Sequence, residues 1–430
     1  MTQLIGMIAD DLTGANDSGV QLAEKGIHTS VLFDIPNRLQ NLDAGVVIDT
    51  NSRALSREAA MRETKKAGLF LKQAGYKHIY KKMDSTLRGH IGSELQALAG
   101  VFNPDFVFIA PAFPSMGRTT TNGVHYVHGV QISNTEISRD PKHPVKESSI
   151  PNIIERETGQ RVGLITTTDL ESRPRLNEKL ADFVKSGVTY IVSDAESQAH
   201  LQLATRAILN FSERIIWAGS AGLAEVLPEE LQLETTDTPR DFSQSGQVLT
   251  VCGSLSEVTQ SQVAFAMKQE GITNVEIDTV QIFGPDWPRV RHDIISSCLQ
   301  GLEQGDDLVL YVPSHDKVRE EVKSIGQRLG LNGYEIGEGI SSAIGEVVAE
   351  VVKAHEALTA LILTGGDTAK ESSRFLGGIG FRLIKQIEAG IPLGTLIGTP
   401  RELTIVTKAG AFGKEDSIYK AMQELKGVRV

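Results

Sequence analysis

Short apolar runs alternate with longer segments of helical periodicity through the first half of the chain. Leu4 to Ala9, Ser30 to Phe33, Gly45 to Asp49, His78 to Lys81 and Phe106 to Ala110 have the length and composition of buried strands, and the series resumes at Val162 to Thr166, Tyr190 to Ser193 and Ile215 to Ala218. Amphipathic stretches such as Ser56 to Ala74, ending at Gly75, fill the gaps. Strands that alternate with helices need crossover connections, so the pattern predicts a largely parallel sheet covered on both faces. Leu231 to Gln247, LQLETTDTPRDFSQSGQ, interrupts it by gathering Thr, Ser, Asp and Pro without apolar periodicity, which reads as a linker. A second α/β series follows, with strands near Val248 to Cys252, Asp307 to Val312, Ala360 to Thr364 and Leu403 to Lys408. The expectation is an α/β protein of two α/β domains, residues 1–235 and 248–430, joined by a linker at 236–247.

The length of 430 residues agrees, since one hydrophobic core seldom organises so long a chain. With 40% hydrophobic and 23% charged residues, the composition is that of an ordinary globular protein. Asp and Glu outnumber Lys and Arg by 54 to 43, and a net charge of −11 argues against a nucleic-acid or anionic-membrane binder. An anionic substrate would then need a local basic pocket. Two cysteines, Cys252 and Cys298, are too few for a disulfide scaffold or a zinc cluster and suit a reducing compartment. The start, MTQLIGMIADDL, lacks a basic n-region, and no stretch reaches the ~20 apolar residues of a spanning helix, so a cytoplasmic location is expected. Nothing in the pattern excludes a homo-oligomer.

Candidate chemistry sits where strands end. IADDLTGANDSG runs from the first strand into a helix and places Asp10 and Asp11 at the carboxyl end of a parallel strand, the edge where ligand crevices of open α/β sheets lie. Adjacent carboxylates there can accept hydrogen bonds from sugar hydroxyls, or one can act as a general base; a helix cap alone would explain one acid. In KKMDSTLRGHIGSEL, Lys82 and Arg88 can bind a substrate carboxylate while Asp84 and Ser85 address hydroxyls. Arg53, in DTNSR, is a further carboxylate ligand on the same edge. APAFPSMGRTTTNGVHYVHG reads as a stiff, donor-rich loop in which Arg118 either faces substrate or pairs with a surface acid. His125 and His128 lack a third metal ligand close in sequence. In the second half, LTGGDTAKES, VCGSLSEVT and KAGAFGKED are glycine-bearing strand ends suited to phosphate. There is no GxxxxGK[ST] sequence and no GxGxxG in a strand-to-helix turn, which excludes the P-loop and dinucleotide fingerprints.

IADDLTGANDSG, KKMDSTLRGHIG, APAFPSMGRTT with HYVHG, LTGGDTA and KAGAFG resemble the signatures of the four-carbon acid sugar kinases and occur in that family's order. The resemblance spans nearly the whole chain. It implies an N-terminal domain for the acid sugar and a C-terminal domain for ATP with Mg²⁺, with phosphoryl transfer in a ligand cleft between them. Matched motif to motif, substrate contacts fall to Asp10, Asp11, Arg53, Lys82, Asp84, Ser85 and Arg88, and nucleotide contacts to Ser254, Gly365, Gly366, Asp367, Thr368 and Gly410. Asp11 and Asp84 are the candidate catalytic acids; no metal ligand is named. Family members phosphorylate D-threonate, D-erythronate or 3-oxo-tetronate, and HYVHGVQISNTEISRDPKHPVKESSIP is most similar to the D-threonate type, whose product is 4-phospho-D-threonate. A phosphatase of the haloacid dehalogenase type, whose two acids are separated by one residue rather than adjacent, and a non-catalytic sugar-acid sensor are the alternatives from other classes.

Overall fold

The computed structural model describes residues 4–36, 42–140, 143–235 and 241–428. The chain divides into two compact units, residues 1–238 and 239–430. Of the expected linker, residues 236–240 lie outside the described residues.

In the first unit the strands are β1 (Ile5–Ala9), β2 (Thr29–Leu32), β3 (Gly45–Asp49), β4 (His78–Lys82), β5 (Phe106–Ala110), β6 (Arg118–Thr121), β7 (Val124–Val127), β8 (Val130–Gln131), β9 (Val162–Ile165), β10 (Tyr190–Ser193) and β11 (Ile215–Gly219). Eight of them pair in the order β2-β3-β1-β4-β11-β5-β10-β9, every pair parallel. The near-continuous apolar runs follow from this, because a parallel sheet is covered on both faces and β1 and β5 are buried throughout. Helix α1 (Leu12–Glu24) leaves β1 directly, α2 (Arg57–Ala74) links β3 to β4, and α3 (Ile91–Phe102) links β4 to β5. In α2 the buried positions Ala60, Thr64, Ala67, Gly68 and Leu71 recur at helical spacing, Ser56 caps the first turn, and Gly75 ends the helix at φ 80°.

β1 is first in the chain but central in the sheet, with β3 on one side and β4 on the other. The crossovers leave in opposite directions there, which makes the carboxyl ends of these strands the position where ligands of open α/β sheets bind. Asp10, Asp11, Arg53 and residues 83–88 all follow those ends.

The donor-rich segment after β5 is not a loop. It forms an antiparallel hairpin, β6 with β7, to which β8 adds a short third strand. Three consecutive threonines favour an extended backbone, and Asn122 and Gly123 turn the chain at φ 51° and 74°, as a two-residue hairpin turn requires.

The second unit has β12 (Val248–Cys252), β13 (Ile272–Glu276), β14 (Asp307–Tyr311), β15 (Ala360–Thr364), β16 (Gly380–Glu388), β17 (Ile391–Ile397) and β18 (Thr404–Lys408), in the order β13-β14-β12-β15-β18-β17-β16. The first four strands repeat the order of the first unit, so β12 stands as β1 does, and β17 runs antiparallel to both neighbours. β13, β16 and β17 are not among the strands expected from sequence. β13 has a single buried residue, and β16 is half-buried and bulged around Lys385 and Gln386, so neither carries the continuous apolar run of a central strand. Among the described residues no helix is long and apolar enough to cross a membrane.

Successive residues of a strand point to opposite faces, which sends the adjacent lysines of β4 in different directions. Lys81 is buried toward α3, where its ammonium meets Glu94 at 3.1 Å. Ser52 and Thr64 also bond to Glu94. Removing one partner of a buried ion pair leaves a bare charge, a cost of about 3–5 kcal/mol. Glu94→Ala should therefore lower the unfolding free energy measured in urea by that much, and a loss below about 1 kcal/mol would show that Lys81 reaches water instead.

Candidate active site

The first unit gathers its acids around one guanidinium. Thr50 anchors the end of β3 to the Ala9 carbonyl, Asn51 turns the chain at φ 47°, and the Arg53 amide bonds to the Asp10 carbonyl. Arg53 is thereby aimed back at β1. Its Nε and Nη2 bond to the two oxygens of Asp10 at 2.8 and 3.0 Å, while Nη1 and Nη2 bond to Asp11 at 2.7 and 2.8 Å. Asp84 lies 4.0 Å away. Asp11 also accepts the Gly14 amide and so caps α1, which makes the cap and the site one and the same.

Burial opposes ionisation of Asp10, but Arg53, helped by Lys81 and Lys82, outweighs it and holds the carboxyl below its ordinary value. Asp84 is likewise held well below its ordinary value: burial is again overcome, here by Arg53 and Arg88. Arg88 binds Asp84 through Nε at 2.5 Å and Asp140 through Nη1 at 3.1 Å. Gly89 passes close to the cluster, and a β-carbon there would lie 3.2 Å from Asp10 Oδ2. Of the residues expected to contact substrate, Asp10, Asp11, Arg53, Asp84 and Arg88 thus form one bonded network. Ser85, next to Asp84 in the chain, is tied elsewhere: its backbone carbonyl meets His125 Nε2 at 2.9 Å.

His125 is buried between that carbonyl and Thr120, and burial lowers its pKa to about 4, so it is a neutral strut between hairpin and loop. Among the described residues no group of three or more His, Cys, Asp or Glu could hold a metal.

Lys82 takes the opposite direction from Lys81. Its ammonium donates to the Met83 carbonyl, forms no ion pair among the described residues, and lies 2.6 Å from where a Gly14 β-carbon would be. Arg118 has one Nη1 bond, to the Met116 carbonyl, and a buried Nε with no partner. Its charge acts on Asp84 and Asp17, while burial lowers its own pKa. Asp17, which the sequence reading passed over, has no hydrogen bond or ion pair on its carboxylate among the described residues. Burial raises its pKa to about 7 against the opposing pull of Lys82. The signal for Asp17 was its position three residues after Gly14, on the same side of a helix that begins at the site.

In the second unit a cavity of about 730 Å³ opens at the ends of β12, β14 and β15. Of the residues expected to contact nucleotide, Ser254, Gly365, Gly366, Asp367 and Thr368 line it, together with apolar side chains such as Val318, Val322 and Ile336 that sequence reasoning did not single out. Gly365 holds φ 91° and precedes helix Gly366–Phe375, whose first turn has no side-chain cap. Gly253 lies so near Thr368 that a β-carbon would sit 1.9 Å from its hydroxyl. Gly410 is not in the cavity wall but packs against Ser254. Lys408 folds the loop that carries it: its buried ammonium donates to the carbonyls of Ala409, Gly410 and Phe412 and to Thr259, and burial lowers its pKa to about 8.

A family model described as a sugar-binding N-terminal domain matches residues 5–227, and one described as a nucleotide-binding C-terminal domain matches residues 249–418. A D-threonate kinase of Salmonella typhimurium is 30% identical over 418 residues, 97% of each chain. The chain belongs to the four-carbon acid sugar kinase family. Another similar protein is a 3-oxo-tetronate kinase of Pseudomonas savastanoi pv. phaseolicola, 27% identical over 437 residues, 99% of this chain and 98% of that one. A crystal structure of a Haemophilus influenzae protein, 26% identical, matches with a TM-score of 0.78 over 98% of this chain and all of that one. The acidic cluster of this sugar-acid kinase falls inside the sugar-binding match and its cavity inside the nucleotide-binding match.

Arg53→Met would leave Asp10 and Asp11 without their main counter-charge. At neutral pH the loss should be about 3–5 kcal/mol in urea unfolding, as for other broken buried pairs. Asp10 and Asp84 titrate below their ordinary value in the fold, so their stabilisation is complete above about pH 4 and is lost as pH falls through the folded values. The gap between parent and variant should therefore narrow in acid; a gap independent of pH would mean that Arg53 acts by packing alone.

Proposed function

We propose that the enzyme transfers the γ-phosphoryl group of ATP to a hydroxyl of D-threonate, giving 4-phospho-D-threonate. The observation that carries this reading is the full-length match to D-threonate kinases, seen again with the Bordetella bronchiseptica enzyme at 30% identity over 98% of the chain. The charge pattern supports it. A hydroxy acid needs acceptors for its hydroxyls, which Asp10, Asp11 and Asp84 provide with lone pairs left over from their arginine bonds. Its carboxylate needs cations with donors to spare. Arg53 spends four hydrogen bonds on Asp10 and Asp11, so in this reading it orients acceptors. Lys82 and Arg118 supply the carboxylate site, with Arg88 at its edge.

The second unit suits a nucleotide. Its cavity is apolar enough along one wall for a base and ends at glycine turns whose amides and helix terminus suit phosphate. Asp367 is the carboxylate in that wall, and a small donor set fits Mg²⁺, which keeps waters and phosphates as most of its ligands. When bound, Mg-ATP supplies the phosphoryl group and neutralises charge on its oxygens. The chain's own task is to place a hydroxyl in line and exclude water.

The similarity to 3-oxo-tetronate kinases keeps that substrate as the second reading. Incubation with ATP, Mg²⁺ and D-threonate, D-erythronate, 3-oxo-tetronate or uncharged threitol, followed by ³¹P NMR, separates them. D-threonate should show the highest kcat/KM and threitol almost none; a preference for 3-oxo-tetronate would move the assignment to the second reading, and no ATP-dependent product from any acid would sink both.

The division between units has its own test. Gly365 holds a backbone conformation that a side chain strains by about 1–3 kcal/mol. In calorimetry, Gly365→Ala should weaken ATP binding by about tenfold or more while D-threonate binding stays within about twofold. Equal loss of both ligands from a folded variant would argue against a separate nucleotide site.

A further inference from the structure

The acids proposed to meet the substrate are nearly all committed. Asp10 is bridged on both oxygens by Arg53, Asp11 is bridged by the same guanidinium and also caps α1, and Asp84 is bound by Arg88. A carboxylate in a guanidinium fork is a good acceptor and a poor base, because taking a proton would break a charge-assisted pair. The hydroxyl proton released during phosphoryl transfer still needs a destination.

Asp17 lacks those commitments. It lies on α1, three residues after Gly14 and six after Asp11, on the side where Lys82 approaches the helix. It is partly buried, so a ligand can reach it. The charges that face it come from four elements: Lys82 at the end of β4, Asp11 ahead of α1, Arg118 on β6 and Arg53 after β3.

We infer that Asp17 is the general base of the reaction, accepting the proton of the substrate hydroxyl that attacks phosphorus. This rests on the proposed phosphoryl transfer. The hydroxyl O–H bond breaks and its proton passes to a carboxylate oxygen of Asp17. The oxygen's electron pair forms the new bond to the γ-phosphorus of ATP, and the bond from that phosphorus to the bridging oxygen breaks, its pair leaving with ADP. Lys82 and Arg118 face the group and stabilise its charge when it is ionised. Burial places its titration near neutrality, where a base is both deprotonated and still strong enough to accept a proton.

Asp17→Asn and Asp17→Glu test this alongside the parent. With D-threonate and Mg-ATP, Asp17→Asn should lower kcat by about 10²- to 10⁴-fold while calorimetry gives D-threonate affinity within about threefold of the parent, and Asp17→Glu should recover part of the rate. In the parent, kcat should climb as pH rises through about 7 and then level, and Asp17→Asn should lose that limb. A readout that needs no turnover is the ¹³C shift of the aspartate carboxyls: one resonance should titrate near 7 and vanish in Asp17→Asn. Near-parent kcat in Asp17→Asn, or a pH limb that survives it, overturns the inference while leaving the kinase reading intact. Failure of the parent to phosphorylate any four-carbon acid, with the near-neutral resonance present, removes the kinase reading and the base role with it but confirms the uncommitted carboxyl.

Discussion

Arg53 is the constraint on which the first unit's site depends. Three carboxylates, Asp10, Asp11 and Asp84, crowd at the ends of adjacent strands, and left alone they would repel one another. One guanidinium with a planar array of donors ties two of them directly and reaches the third at 4.0 Å. A lysine could not replace it, since a point charge cannot fill two forks at once. The ends of β1 and β3 are thus locked together by the same bonds that align the acids.

The second unit solves a related problem with little side-chain charge. Its ligand space is bounded by turns in which glycine is needed for shape: Gly365 for its φ of 91°, Gly253 because Thr368 occupies the space a side chain would take. Lys408 plays there a part comparable to that of Arg53, with carbonyls in place of carboxylates as its partners. Both units begin with a strand that becomes central, flanked by their third and fourth strands, so each places its candidate ligand groups at the point where crossovers diverge. Shared topology explains why the charged and the glycine-rich motifs alike follow strand ends.

Legibility in the sequence followed burial. β3, β5, β10, β12 and β15 stand where their apolar runs begin and end, because a strand covered on both faces must be apolar throughout. The hairpin β6–β7 was harder to see, since Thr119, Thr120 and Thr121 read as polar loop although their branching favours extension, and the Asn122-Gly123 turn between them was overlooked. β13 and β16 carry exposed positions at which the pattern dissolves. In the site, motifs at strand ends brought Asp10, Asp11, Arg53, Asp84 and Arg88 into view. How they share bonds could not be read, because Arg53 lies more than forty residues from its partners and pairing is a property of the sheet.

That last difference changes how the acids are weighed. From sequence, adjacency at a strand end makes Asp11 the obvious base, and Asp17 is one more polar residue in a helix. In the fold, adjacency weighs against Asp11 as the proposed base: both acids sit within reach of one guanidinium, and each bond that orients them makes accepting a proton costlier. Asp17 lies far enough along α1 to escape the fork yet remains within the field of Lys82 and Arg118. A site that must both hold hydroxyls and remove a proton needs two kinds of carboxylate, strongly paired ones to position and a weakly paired one to react, and in the proposed reading Asp11 at the cap of α1 and Asp17 within it are one of each.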